Sequence, residues 1–159
     1  MQVRENELKK NNLRFDGCDI SLAATMVDKL STTIDILYYL MDRGEERAFV
    51  IVMFSAKCVN VDHILKEEKR NTDILFEIDK EKSIYAIVCQ DTKVDGGYRF
   101  AQRIMSKMIE EDARDIYLTE LEVRTNKYDI KYIVFKLLES FIKVKIEARE
   151  KEIDYNSLT

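Results

Sequence analysis

Ile20, Ala23, Val27, Leu30, Ile34, Leu37 and Met41 recur at alternating spacings of three and four. That spacing draws one apolar stripe along a helix. Asp19 is placed to cap its start, and Gly44 to end it. A helix over 18–44 is therefore predicted, after a flexible arm over 1–17. The seven-residue repeat is also what a short coiled-coil seam shows. Packing onto the chain's own sheet and pairing with a second helix are competing readings of the same stripe.

Two later apolar runs are continuous rather than periodic: Ala48 to Phe54 and Ser83 to Cys89. Runs of that kind read as strands buried on both faces. Between them, Val61 to Arg70 patterns as a short helix. Ile74, Phe76 and Ile78 alternate with Leu75 and Glu77 as a less buried strand. Asp79-Lys80-Glu81-Lys82 is a polar turn that joins this strand to the second apolar run as a β-hairpin. Asp91-Thr92 offers caps for a helix to about Glu111, with Gly96-Gly97 working against helix propensity near its start. Ile116 to Val123 is a fourth strand whose imperfect alternation can hide a bulge. Asn126 to about Arg149 is a last helix, opened by an Asn126/Asp129 pair that resembles a capping box. Lys151 to Thr159 is expected to be a frayed tail.

The order after the first helix is β-α-β-β-α-β-α. A right-handed crossover applied twice turns it into a ferredoxin-like α+β fold. An antiparallel four-stranded sheet is packed by helices, with an extra N-terminal helix and a long C-terminal one. The domain proper is expected over 45–150. This topology puts the first and third strands at the centre, and those are the two fully apolar ones. The second and fourth, which carry Glu77, Thr119 and Glu120, fall at the edges.

Composition narrows the function classes. With 46% hydrophobic and 35% charged residues, the chain can form a core, which excludes global disorder. A net charge of −4 lacks the footprint of a general nucleic-acid binder, so no nucleic acid is expected as partner. No apolar stretch reaches transmembrane length and the start is unlike a signal peptide, so a cytoplasmic protein with no membrane partner is expected. Cys18, Cys58 and Cys89 form no CxxC pair. The single His63 has no companion at ligand spacing. No metal site and no cofactor are expected.

Arg70-Asn71-Thr72-Asp73 is an RxxD tetrapeptide just before the hairpin. One RxxD is about what chance supplies in a chain this rich in Arg and Asp, so its placement says more than its presence. In element order, and in the stretch from Arg70 through Ile84-Tyr85-Ala86-Ile87-Val88-Cys89-Gln90-Asp91-Thr92, the chain resembles the GGDEF domains of the diguanylate cyclase family. The resemblance covers about Leu30 to Phe141, and Arg70 and Asp73 are its matching motif residues.

That resemblance implies a site for the product, cyclic di-GMP, at the RxxD. It also implies a completing arginine from the helix after the hairpin, for which Arg103 is the candidate and Arg99, one turn earlier, the reserve. An arginine fork grips a phosphate or stacks on guanine, and an aspartate accepts from the guanine edge. The departures are equally plain. Asp79-Lys80-Glu81-Lys82-Ser83 stands where the family signature would form the turn. Ser55 and Lys57 stand near the positions of its metal-binding aspartates. From these the chain is expected not to be an enzyme, but an inactive signalling domain that binds cyclic di-GMP. The alternative is a structural or interaction module without a nucleotide ligand, forming a homodimer or meeting a partner protein through the helix over 20–41.

Overall fold

In the computed structural model, which describes residues 15–159, a reciprocal capping box opens the first helix. Asp16 Oδ1 accepts from the Asp19 backbone N–H at 2.9 Å, and Asp19 Oδ2 accepts from that of Asp16 at 2.9 Å. The helix, α1, runs over Gly17–Asp42, so its cap is Asp16 rather than the expected Asp19. Gly44, at φ 74°, releases the chain after it. Most of the predicted flexible arm lies outside the described residues. Phe15, at its end, stacks on Phe135 with ring centroids 5.3 Å apart.

The remaining elements are β1 Phe49–Lys57, α2 Val61–Glu68, β2 Asp73–Asp79, β3 Ile84–Cys89, α3 Val94–Glu110, β4 Arg114–Val123, α4 Ile130–Ile146 and β5 Ile153–Leu158. The sheet order is β2-β3-β1-β4-β5. The β1–β3, β1–β4 and β2–β3 pairs are antiparallel, as the ferredoxin-like reading requires. β1 and β3 are central and buried. The suspected bulge in the fourth strand is present. Between the pairs Ser55–Tyr117 and Lys57–Arg114 the register shifts, with Asp115 at φ 51°.

One expectation is corrected, and of two competing readings one is favoured. First, the segment read as a frayed tail is β5, which pairs parallel with β4 from Leu118–Ile153 to Val123–Leu158. The sheet therefore has five strands, and β4 is an interior strand. α4 is the crossover between them. Arg149 pins the connection through Glu152 at 2.8 Å and Asp154 at 3.4 Å. Second, the α1 stripe is buried within this chain. Ala23, Leu30, Ile34 and Leu37 join the core with Phe49, Ile51, Met53, Leu137 and Phe141. This is the packing expected if the stripe faces the chain's own sheet. Ile20, by contrast, is 53% exposed.

The opposite sheet face holds a second core, in which Val50, Val52, Phe54, Tyr85 and Ile87 meet Ile64 and Leu65 of α2 and Phe100, Ala101 and Ile104 of α3. The site lies on this side, where α3 leaves the end of β3.

Candidate functional site

Arg70 and Asp73 flank a tight turn that leads from α2 into β2. The Arg70 backbone N–H donates to Asp73 Oδ2 at 2.8 Å. Its guanidinium donates to Asp73 Oδ1 from Nε at 3.1 Å and from Nη2 at 2.8 Å. Nη2 also reaches the Gln90 carbonyl at 2.9 Å and Thr92 Oγ1 at 2.8 Å. These partners are themselves held. Thr92 donates its hydroxyl to the Gln90 carbonyl at 2.8 Å, and its backbone N–H bonds the Ala48 carbonyl at 3.0 Å. The Asp91 N–H bonds Glu46 Oε1 at 2.9 Å, and Gln90 Nε2 returns to the Thr72 carbonyl at 2.7 Å. The hydrogen bond with Asp73 holds the Arg70 guanidinium above its ordinary pKa, firmly charged.

This geometry gives the two motif residues different tasks. The Asp73 side chain has no exposed surface, and that of Arg70 is 51% exposed. Both Asp73 oxygens receive Arg70. The carboxylate expected to accept from a guanine edge is therefore the brace that orients Arg70, whose Nη1 donates to none of the described residues. Burial pushes the neighbouring Cys89 thiol well above its ordinary range, which keeps it protonated.

Arg70 and Asp73 line a cleft of about 340 Å³ together with Arg99 and Arg103. All four residues singled out in the sequence are thus brought together. Arg103 leans on Phe100, its guanidinium 5.3 Å from the ring centroid. It bonds Glu68 Oε2 from Nε at 3.1 Å and the Glu68 carbonyl from Nη2 at 3.2 Å. Arg99 is exposed and makes no ion pair or hydrogen bond among the described residues. Lys93, also on the cleft, was missed by the sequence reading; it is the N-cap position of α3 and gives no side-chain cap. Four cationic side chains against Asp73 and Asp91 leave the cleft net positive. It is suited to a small ligand bearing phosphate charge.

α3 begins one residue later than a Thr92 cap would have it, because Thr92 is occupied with Arg70. The exposed end of the helix is capped from β4 instead: Glu122 Oε2 accepts from the Val94 N–H at 2.7 Å. The unusual glycine pair has a packing reason. A Cβ on Gly97 would stand 2.2 Å from Glu120 Oε1 and 2.7 Å from Val50 Cγ1, so only glycine lets α3 lie this close to β1 and β4.

At the other end of β1, Ser55 is buried, and Lys57 Nζ stands 3.4 Å from Asp115 Oδ2. His63 pairs with Glu67 at 3.0 Å on the surface of α2. Among the described residues no helix is long and apolar enough to cross a membrane.

No family model and no curated protein matches the sequence. The fold does have solved counterparts. The active GGEEF domain of a diguanylate cyclase from Vibrio cholerae superposes with a TM-score of 0.64 at 12% identity, over 83% of this chain and 97% of that one. Diguanylate cyclase SiaD of Pseudomonas aeruginosa, solved with its activator SiaC, gives 0.59 at 10% identity, over 99% of this chain and 66% of that one. PelD of Pseudomonas aeruginosa gives 0.53 at 14% identity, over 76% of this chain and 46% of that one. These likenesses define the architecture: this chain has the GGDEF-domain fold, with a five-stranded sheet. The expectation that it is no enzyme is overturned, because the fold it shares is that of an active diguanylate cyclase domain.

Proposed function

We propose that this domain is a cytoplasmic signalling module that binds cyclic di-GMP in the cleft beside α3, with Arg70, Arg99 and Arg103 as its cationic contacts and Asp73 as the brace of Arg70. One observation carries the reading: Arg70, from the turn before β2, and Arg99 and Arg103, from successive turns of α3, converge on one cleft around a guanidinium already fixed by a buried carboxylate. A ligand with two phosphodiester charges and two guanine faces offers arginine both of its preferred modes, the bidentate bond and the stack. A microbial GGDEF domain solved with bis-(3′,5′)-cyclic di-GMP supports the ligand class. It shares this fold with a TM-score of 0.54 at 9% identity, over 77% of this chain and 86% of that one.

Titration calorimetry of cyclic di-GMP into the protein tests this. Binding at tens of micromolar or tighter, about 6–7 kcal/mol, is expected. Arg70→Ala should weaken it at least tenfold, roughly the value of a charge-assisted hydrogen bond. A flat titration of the wild type sinks the proposal.

The interaction-module reading keeps a narrower footing. Ile36 and Tyr39 lie on the outer face of α1 and are 54% and 57% exposed, so a protein partner would meet that face rather than the buried stripe. Light scattering of the protein that shows a monomer at all concentrations would count against self-association there.

A further inference from the structure

A second cleft, of about 330 Å³, lies across the first turns of α3 from the arginine cleft, and Arg99 lines both. Its walls are Val94, Asp95, Tyr98 and Tyr155. The two tyrosine rings stand at 82° with centroids 5.7 Å apart, so they form a corner. Tyr155 is 59% exposed, the most exposed large hydrophobic side chain among the described residues. It comes from β5, in register with Glu120 of β4, so the strand that extends the sheet is also what supplies the aromatic wall.

Each cleft lies near the lower end of the size range of small-molecule sites, room for one half of a dinucleotide rather than the whole. The first is cationic, and the second is largely apolar and aromatic. A tyrosine held on a strand with an open face is a stacking platform that any nucleobase can use.

We infer that the Tyr98–Tyr155 corner is a base-stacking subsite, which takes the second guanine of a cyclic dinucleotide whose first half lies in the arginine cleft, with Arg99 between the two. The inference rests on the binding reading above and adds to it the residues that would hold the far half of the ligand.

The test is calorimetry of cyclic di-GMP into wild type, Tyr155→Ala, Tyr155→Phe and Arg70→Ala, with the guanine H8 resonance of the ligand followed by NMR. Tyr155→Ala should weaken binding about tenfold, while Tyr155→Phe, which keeps the ring, stays within about twofold of wild type. In wild type and Tyr155→Phe one H8 signal should move upfield by ring current on binding, and in Tyr155→Ala that shift should vanish. Circular dichroism melts matching the wild type confirm that the exposed substitution leaves the fold intact. If Tyr155→Ala binds like wild type with the H8 shift kept, while Arg70→Ala is impaired, the stacking subsite is overturned and the arginine site stands. If wild type binds no cyclic di-GMP, both are overturned together.

Discussion

The buried carboxylate of Asp73 receives three hydrogen bonds from Arg70, one from its backbone and two from its guanidinium. The pair is a positioning device in which the aspartate is invisible from solvent and the arginine faces the cleft. Asp73→Asn should therefore lose ligand affinity through misplaced Arg70 and also lose stability. The expected destabilisation is about 1–3 kcal/mol, since a charge-assisted buried acceptor is removed. Arg103→Ala should weaken binding with little effect on stability, because its ion pair with Glu68 is half exposed. Urea denaturation beside calorimetry separates the two effects.

Gly96 and Gly97 look interchangeable in sequence and are not. A Cβ on Gly96 would meet only Thr92 Cγ2 at 3.3 Å, but on Gly97 it would enter the space of Glu120 and Val50. Gly97→Ala should destabilise by about 1–3 kcal/mol despite the gain in helix propensity. Gly96→Ala should be within about 1 kcal/mol of wild type. Urea midpoints of the two variants decide it, and equal midpoints would refute the close-approach account.

Glu120 has no exposed surface, and neither of its oxygens finds a hydrogen-bond partner among the described residues. Burial first, then the charges of Glu122 and Asp95, push its pKa up to about 8. In the unfolded chain a glutamate titrates near 4.3. Between those values the folded state binds the extra proton, so stability is greatest at low pH, falls as pH rises through the window, and levels off above about 8. The loss is on the order of 5 kcal/mol. Glu120→Gln stays neutral throughout. Melting temperatures of wild type minus Glu120→Gln should fall steadily from pH 5 to pH 8.5, and a pH-independent difference would mean that Glu120 is ionised in the fold.

The buried glutamates also mark where the sequence stopped being legible. The four-stranded core was readable because Ala48 to Phe54 and Ser83 to Cys89 are continuous apolar runs, and a strand buried on both faces has no other composition. β4 was readable as a strand but not as an interior one, because Thr119, Glu120 and Glu122 look like an edge. The strand that covers them, Ile153-Asp154-Tyr155-Asn156-Ser157-Leu158, offers only Ile153 and Leu158 to the two cores, too little to distinguish it from a tail. The arginine convergence was legible only through the resemblance to GGDEF domains, which implied a completing arginine on the helix after the hairpin. The bracing of Arg70 was not, since it depends on Gln90 and Thr92 arriving from another strand end. Tyr98 and Tyr155 are far apart in sequence, and nothing local pairs them.

β5 should carry real stability. Ending the chain after Glu150 removes Leu158 from the core, takes the Ser157 hydroxyl from Glu122 and opens the edge of β4. A loss of about 2–4 kcal/mol is expected, from buried apolar area and ladder hydrogen bonds together. Amide exchange should accelerate across Leu118 to Val123, and a bare β4 edge should promote aggregation. An unchanged denaturation midpoint would mean that β5 docks too weakly to complete the sheet.

Leu30 decides between the two readings of the α1 stripe. It is fully buried, in the same core as Phe49 and Phe141. If the stripe packs inside one chain, Leu30→Ala leaves a cavity there and costs about 2–5 kcal/mol. The stability of both wild type and variant should then be independent of protein concentration. A stripe that served as a seam between two chains would behave otherwise, because association stabilises by mass action and the midpoint would climb with concentration. Urea denaturation of wild type and Leu30→Ala over a hundredfold range of concentration distinguishes them. A concentration-dependent midpoint that the substitution abolishes would return α1 to the role of an intermolecular seam.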